Sequence, residues 1–71
     1  MNATDSAWKE EVQARRIALD WSQNELARRI HKDPGLVSRV LNGTVTSSVV
    51  RGRIEKVLAR EEMRRGLVKA S

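Results

Sequence analysis

Residues 22–43 read SQNELARRIHKDPGLVSRVLNG, and the first part of this stretch contains a clear helix start. Ser22 followed three residues later by Glu25 is a capping box. The serine hydroxyl accepts from the Glu25 amide, and the glutamate side chain reaches back toward the serine. This pattern predicts a short helix over 22–30, with an apolar stripe of Leu26, Ala27 and Ile30 facing inward.

A second helix start follows almost at once. Asp33 is a good N-cap, and Pro34 costs nothing at the first helical position because its missing N–H has no intrahelical partner there. The pair Asn42-Gly43 supplies a left-handed helix end. We therefore predict a second helix over 34–42, joined to the first by a tight turn, which is a helix-turn-helix over 22–43.

Two longer helices are expected on either side of this motif. Apolar spacing predicts one helix over 5–19 and another from Thr46 or Ser47 to about Arg65, in which Gly52 is a candidate break. Candidate caps of the first helix are Thr4, Asp5 and Ser6. With 71 residues and an aliphatic core, the expected fold is all-α, a compact four- to five-helix bundle forming a single domain over 1–71, with a tail at 66–71.

Charge is distributed unevenly along the chain. The net charge is +5, and the first 33 residues hold equal numbers of acidic and basic groups, so the excess lies in the second part. Between Asp33 and Glu55 there is no acidic residue, whereas arginines alternate with serine and threonine. This composition suits a polyanion such as a phosphate backbone, with a solvated basic surface as the alternative.

Several classes of function are disfavoured by the residues present. The chain has no cysteine, so disulfides and thiolate metal sites are excluded, and we expect no metal and no cofactor. No signal peptide or membrane span is apparent, which makes a cytoplasmic protein the expectation. Catalysis is not expected, because His31, Asp33 and Ser38 face different ways on a turn and a short helix. Membrane-surface binding by the last helix is disfavoured because glutamates interrupt its positive face; they are Glu55, Glu61 and Glu62.

The helix over 34–42 has one face that its apolar residues leave free. With 3.6 residues per turn, Val37, Val40 and Leu41 cluster on one side and must be buried. The opposite side carries Gly35, Ser38, Arg39 and Asn42. Arg39 can donate two parallel hydrogen bonds, the geometry that matches guanine O6 and N7, and Ser38 can bond a base edge. We therefore expect this helix to enter the major groove of duplex DNA.

Residues on either side of this helix are suited to phosphate contacts. Gln23 opens the preceding helix, where backbone amides are free, and Thr44, Thr46 and Ser47 surround the start of the last helix. Arg51 lies one turn further on. The alternative for Ser22, Thr46 and Ser47 is that they only cap helices.

The strings SQNELARRI, over 22–30, and VSRVLNG, over 37–43, resemble the phage repressor/Cro family of helix-turn-helix regulators, the xenobiotic-response-element class. The resemblance covers roughly 12–60. It implies a lambda repressor-like DNA-binding domain in a bacterial cell or phage-infected host. It also implies base reading by Pro34, Gly35, Ser38 and Arg39, and phosphate contacts by Gln23, Asn42, Gly43 and Thr44.

The chain departs from the pattern of this family in three respects. His31 stands where the turn often has glycine. Pro34 and Gly35 stand where polar side chains often read bases, which shifts the expected readout to Arg39 and Ser38. Leu41 replaces a glutamate that often pairs with an arginine of the first helix, so Arg16 must find another partner or stay solvated.

The resulting expectation is a sequence-specific regulator of transcription, most simply a repressor, that binds double-stranded DNA. Each domain reads a half-site, so a homodimer on a two-fold symmetric operator is a further expectation. The alternative is an antitoxin or bridging-type module that also binds DNA and holds a protein partner through the last helix and the tail.

Overall fold

The computed structural model describes the backbone of residues 3–67 and the side chains of residues 7–67. Over this range the chain forms four helices and no strand, which confirms the all-α prediction. The helices are α1 (Ala3–Ala18), α2 (Gln23–Arg29), α3 (Pro34–Leu41) and α4 (Ser48–Arg64).

The predicted helix starts at the motif are confirmed. Ser22 is the N-cap of α2, and its hydroxyl accepts from the Glu25 amide at 3.0 Å. The Glu25 carboxylate pairs with Arg28 and Arg29, where a full capping box would turn it back toward Ser22. Asp33 is the N-cap of α3.

Some predicted boundaries are wrong by a few residues. α1 begins at Ala3, so the three candidate caps lie within the helix, and it ends at Ala18. α3 ends at Leu41, because Asn42 is its C-cap. α4 begins at Ser48 with Ser47 as its N-cap and runs through Gly52 without a break.

A buried aliphatic cluster holds the helices together. α3 packs against each of the other three helices, and α1 also packs against α4. The cluster includes every residue predicted for the inner faces of α2 and α3. Its members, each less than a tenth exposed, are Val12, Leu19, Trp21, Leu26, Ala27, Ile30, Val37, Val40, Leu41, Val50, Ile54 and Leu58.

The tail predicted at 66–71 is described only at its start. Gly66 has a φ of 73°, and Leu67 is exposed. Residues 68–71 lie outside the described residues, and with them the predicted contribution of Val68 to a partner surface.

Candidate nucleic-acid interface

The burial of three aliphatic side chains fixes the rotation of α3. Val37 is fully buried, and Val40 and Leu41 are nearly so. Because these side chains point into the core, the opposite side of the helix must face outward. The free face of α3 is therefore the one that the sequence predicts.

That outward face carries Gly35, Ser38 and Arg39, three of the four residues predicted to read bases, and the fourth, Pro34, stands at the first position of the helix. Pro34, Gly35 and Arg39 are exposed, and Ser38 is half-buried. Within the described part of the chain, the Arg39 guanidinium makes no hydrogen bond or ion pair. It is therefore available to donate to a base or a phosphate without first breaking an internal contact.

Gly35 has a structural role besides its place on this face. The Asp33 carboxylate accepts from the Gly35 amide at 2.9 Å and from the Leu36 amide at 3.3 Å. A Cβ at position 35 would lie only 2.8 Å from that carboxylate oxygen. Glycine thus leaves room for the cap, and it also keeps the α3 backbone open to a close partner.

Asn42, at the end of α3, is held from two sides. Its Oδ1 accepts from Lys9 Nζ at 2.5 Å, and its Nδ2 donates to Ser38 Oγ at 3.4 Å. The first contact brings a cation of α1 to the edge of the free face. Sequence reasoning did not include Lys9, because the 33 residues that separate it from Asn42 leave no local pattern.

Gln23, at the first position of α2, is half-buried. Its Oε1 accepts from Gln13 Nε2 at 3.5 Å, and Gln13 Oε1 accepts from Arg16 at 2.9 Å. Arg16 also donates to the Trp21 carbonyl at 2.7 Å. Of the two alternatives that Leu41 leaves for Arg16, the structure shows the first, another partner.

The segment between α3 and α4 supplies the remaining predicted contacts. Gly43, with a φ of 79°, turns the chain out of α3, and Thr44 and Thr46 are exposed. The Ser47 hydroxyl accepts from the Val50 amide at 3.2 Å, so it serves at least as a helix cap.

Arg51 is positioned by an aromatic ring. Its guanidinium lies 4.3 Å from the centre of the Trp8 ring, a cation–π contact. The Trp8 indole N–H in turn donates to Glu55 at 2.6 Å. The α1 segment that carries Trp8 and Lys9 therefore adjoins both the end of α3 and the start of α4.

The glutamates of α4 are neutralised by arginines. Arg15 pairs with Glu55 and Glu62, each at 2.7 Å, and Glu61 pairs with arginines 64 and 65. Hydrogen bonds from Arg64 and then Arg65 lower the pKa of Glu61 from 4.5 to about 2. A hydrogen bond from Arg15 lowers the pKa of Glu62. All three carboxylates are paired with arginines that lie outside α3, so none of them pairs with a cation of α3.

These elements define a class of protein. Two short helices meet at a tight turn, and the second presents a small, polar, cationic face outside the core. This arrangement is that of a helix-turn-helix DNA-binding domain.

Comparison with known families agrees with this geometry. A family model described as helix-turn-helix, of the xenobiotic-response-element and lambda repressor-like class, matches residues 12–59. The chain belongs to this family, and it is a DNA-binding protein of the regulatory kind. No curated protein and no solved structure matched the chain. None of the described helices is both long and apolar enough to cross a membrane.

Proposed function

We propose that residues 1–71 act as one domain that recognises a specific sequence in duplex DNA and represses transcription by occupying it. α3 enters the major groove, where Arg39 and Ser38 read base edges, and Pro34 and Gly35 allow the backbone to come close. Phosphate contacts come from Gln23, Asn42, Gly43, Thr44, Thr46, Ser47 and Arg51, with Lys9 added to this set.

The observation that carries the proposal is the exposure of Arg39 without a carboxylate partner in the described range. Arg39 lies on the free face of α3. An arginine on a solvated helix is commonly paired with an acidic residue one turn away. Arg39 has none, and its neighbours on this face are small or polar.

Selection of binding sites from a random pool of duplexes tests the proposal directly. We expect a short enriched sequence that contains at least one invariant G·C pair, the partner of Arg39. An inverted repeat of that sequence would support a homodimer on a two-fold symmetric operator. Failure to enrich any sequence at low ionic strength would contradict the proposal.

Substitution of Arg39 separates base reading from phosphate binding. Arg39→Ala is expected to cost about 1–3 kcal/mol on the selected site and to relax the preference at one base pair. Arg28→Ala is the matched control, since Arg28 is also an exposed arginine and lies on α2 outside the predicted contact set. If Arg39→Ala lost the same affinity for selected and unrelated duplexes, Arg39 would contact only phosphate.

A second candidate function is an antitoxin or bridging module that also holds a protein partner. Exposed apolar and cationic residues on α4 favour a protein-binding surface. Arg39→Ala distinguishes the two activities, because it should weaken DNA binding and leave the binding of a partner to α4 unchanged. Ionic strength separates them less sharply, since counterion release weakens DNA binding and screening also weakens ion pairs of the cationic α4 surface.

A further inference from the structure

α4 has a face that neither the core nor the predicted DNA contacts use. Its residues recur at intervals of four and three along the helix and so lie in one line. We call this line the outer stripe of α4; it consists of Val49, Arg53, Lys56, Arg60 and Met63. It spans about 21 Å at 1.5 Å per residue.

The outer stripe is cationic in the middle and apolar at both ends. Val49 is 60% exposed and Met63 is 63% exposed, which are high values for large apolar side chains. Lys56 and Arg60 are exposed, and neither pairs with a carboxylate within the described range. This combination of apolar side chains and unpaired cations suits a partner that carries both apolar and acidic groups.

The expectation that glutamates interrupt this face is wrong. Glu55 and Glu62 turn toward α1, where Arg15 binds both of them. Glu61 is buried and pairs with the two arginines that follow it. None of these glutamates therefore pairs with the three cations of the outer stripe, Arg53, Lys56 and Arg60.

A groove of about 350 Å³ lies beside the stripe, between α4 and the end of α2. Arg53, Lys56 and Arg60 line it on one side and His31 on the other, and Ile30 and Val57 add apolar surface. Arg53 also donates to the Ile30 carbonyl at 3.3 Å, which holds it at the carboxyl end of α2. The groove is thus a concavity with an apolar component and a rim of cations.

This groove is separate from the proposed DNA contacts at Gln23. α2 is about 10 Å long, and Gln23 is at its amino end while the groove is at its carboxyl end. The groove therefore shares no residue with the proposed DNA contacts.

We propose that the outer stripe and its groove bind an acidic segment of a partner protein that also carries apolar side chains. Carboxylates of the segment pair with Lys56 and Arg60, and its apolar side chains contact Val49, Met63 and the groove. Arginine suits this partner because its planar donors match a carboxylate. A phosphate backbone would leave the apolar residues without partners, and a second copy of this face would bring like charges together.

The probe is a labelled synthetic peptide of repeating Glu-Glu-Leu units, about 15 residues long, which as a helix matches the length of the stripe. Backbone amide shifts of the full chain locate its binding. We expect shifts at 29–31 and 49–63, and none at 35–47. The same peptide with glutamine in place of glutamate should not bind.

Two variants with equal net charge test the role of the stripe. Lys56→Gln/Arg60→Gln and Arg39→Glu each lower the net charge from +5 to +3, and Arg39 does not line the groove. The first should weaken peptide binding about five- to tenfold, as expected for two exposed ion pairs, and the second should have little effect. Arg39→Ala should bind the peptide like the wild-type protein, whatever it does to DNA binding.

Three results would overturn the proposal. The first is a shift of 35–47 by the peptide in place of α4. The second is an equal loss of binding in both charge variants, which would show a net-charge effect only. The third is a stronger shift of 53–60 by an unrelated duplex or by a vesicle of anionic phospholipid than by the peptide, which would assign the stripe to that ligand.

Discussion

In each of the four described helices, the residue after the C-cap has a left-handed backbone. These residues are Asp20, His31, Gly43 and Gly66, with φ between 58° and 79°. At each end, two amides beyond the helix donate back to carbonyls of its last turn, the pattern of a Schellman motif. Two of the four positions are filled by residues with a Cβ, for which this conformation is unfavourable.

His31 is the position where relief of this strain is simplest to measure. Its side chain is exposed, and its φ is 58°. We expect His31→Gly to raise the free energy of unfolding by about 0.5–1 kcal/mol, because glycine has no Cβ penalty, although it gains entropy in the unfolded chain. Urea unfolding at pH 7 measures the change.

His31→Ala is the control for this substitution. It removes the same side chain but keeps the Cβ, so we expect no stabilisation from it. If alanine and glycine changed the stability equally, the left-handed backbone would not be the source of the strain.

At the scale of the elements, α2 and α3 pack closely against each other. Ala27 and Val37 are both fully buried there. Enlarging a side chain in such a site forces neighbours off their rotamers. We expect Ala27→Leu to lower the free energy of unfolding by about 1–3 kcal/mol.

Ala14→Leu on α1 is the matched control for this prediction. It makes the same change at an exposed position in a helix, where we expect an effect within about 0.5 kcal/mol. Thermal unfolding of both variants gives the comparison. A wild-type midpoint for Ala27→Leu would mean that the two helices do not cross closely at this residue.

The sequence predicts well those features, such as helix caps and turns, that depend on a few neighbouring residues. The caps at Ser22 and Asp33 and the turn at Gly43 depend on local hydrogen bonds, and all three are confirmed. The sequence predicts the unbroken course of α4 through Gly52 less well. Burial of Val50 and Ile54 on either side outweighs the roughly 1 kcal/mol that a helical glycine costs.

The partners of charged residues were not predictable in the same way. Lys9 meets Asn42, and Arg15 meets Glu62, across separations of 33 and 47 residues. Only packing of α1 against α3 and α4 brings these groups together. The free face of α3 followed from periodicity, whereas the outer stripe of α4 became visible only once its glutamates had been placed.

At the scale of the whole molecule, Arg15 joins the two long helices. It is half-buried, and it donates to Glu62 through two nitrogens and to Glu55 through a third. The hydrogen bonds to Glu62 and then Glu55 outweigh desolvation and raise the pKa of Arg15. The first and last helices are thus held together by a charged contact as well as by the core.

The pairing of Glu62 with Arg15, and of Glu61 with Arg64 and Arg65, makes the free energy of unfolding depend on pH in the acid range. The pKa of Glu62 is lower in the folded protein than its ordinary 4.5, and that of Glu61 is about 2. The unfolded chain therefore binds more protons as the pH falls, which favours unfolding. The stabilisation is complete above about pH 4.5 and is lost progressively as the pH falls toward 2.

Arg15→Gln removes the main cause of the lowered pKa of Glu62. We expect the variant to be less stable at pH 7 and to lose less additional stability than the wild type between pH 4.5 and pH 2, measured by urea unfolding at each pH. Lys56→Gln removes one positive charge from a site without a carboxylate partner in the described range, so its curve should run parallel to that of the wild type. A specific contact between α1 and α4 predicts that only Arg15→Gln flattens the plot of unfolding free energy against pH. If both variants flattened it equally, net charge would be the cause of acid unfolding.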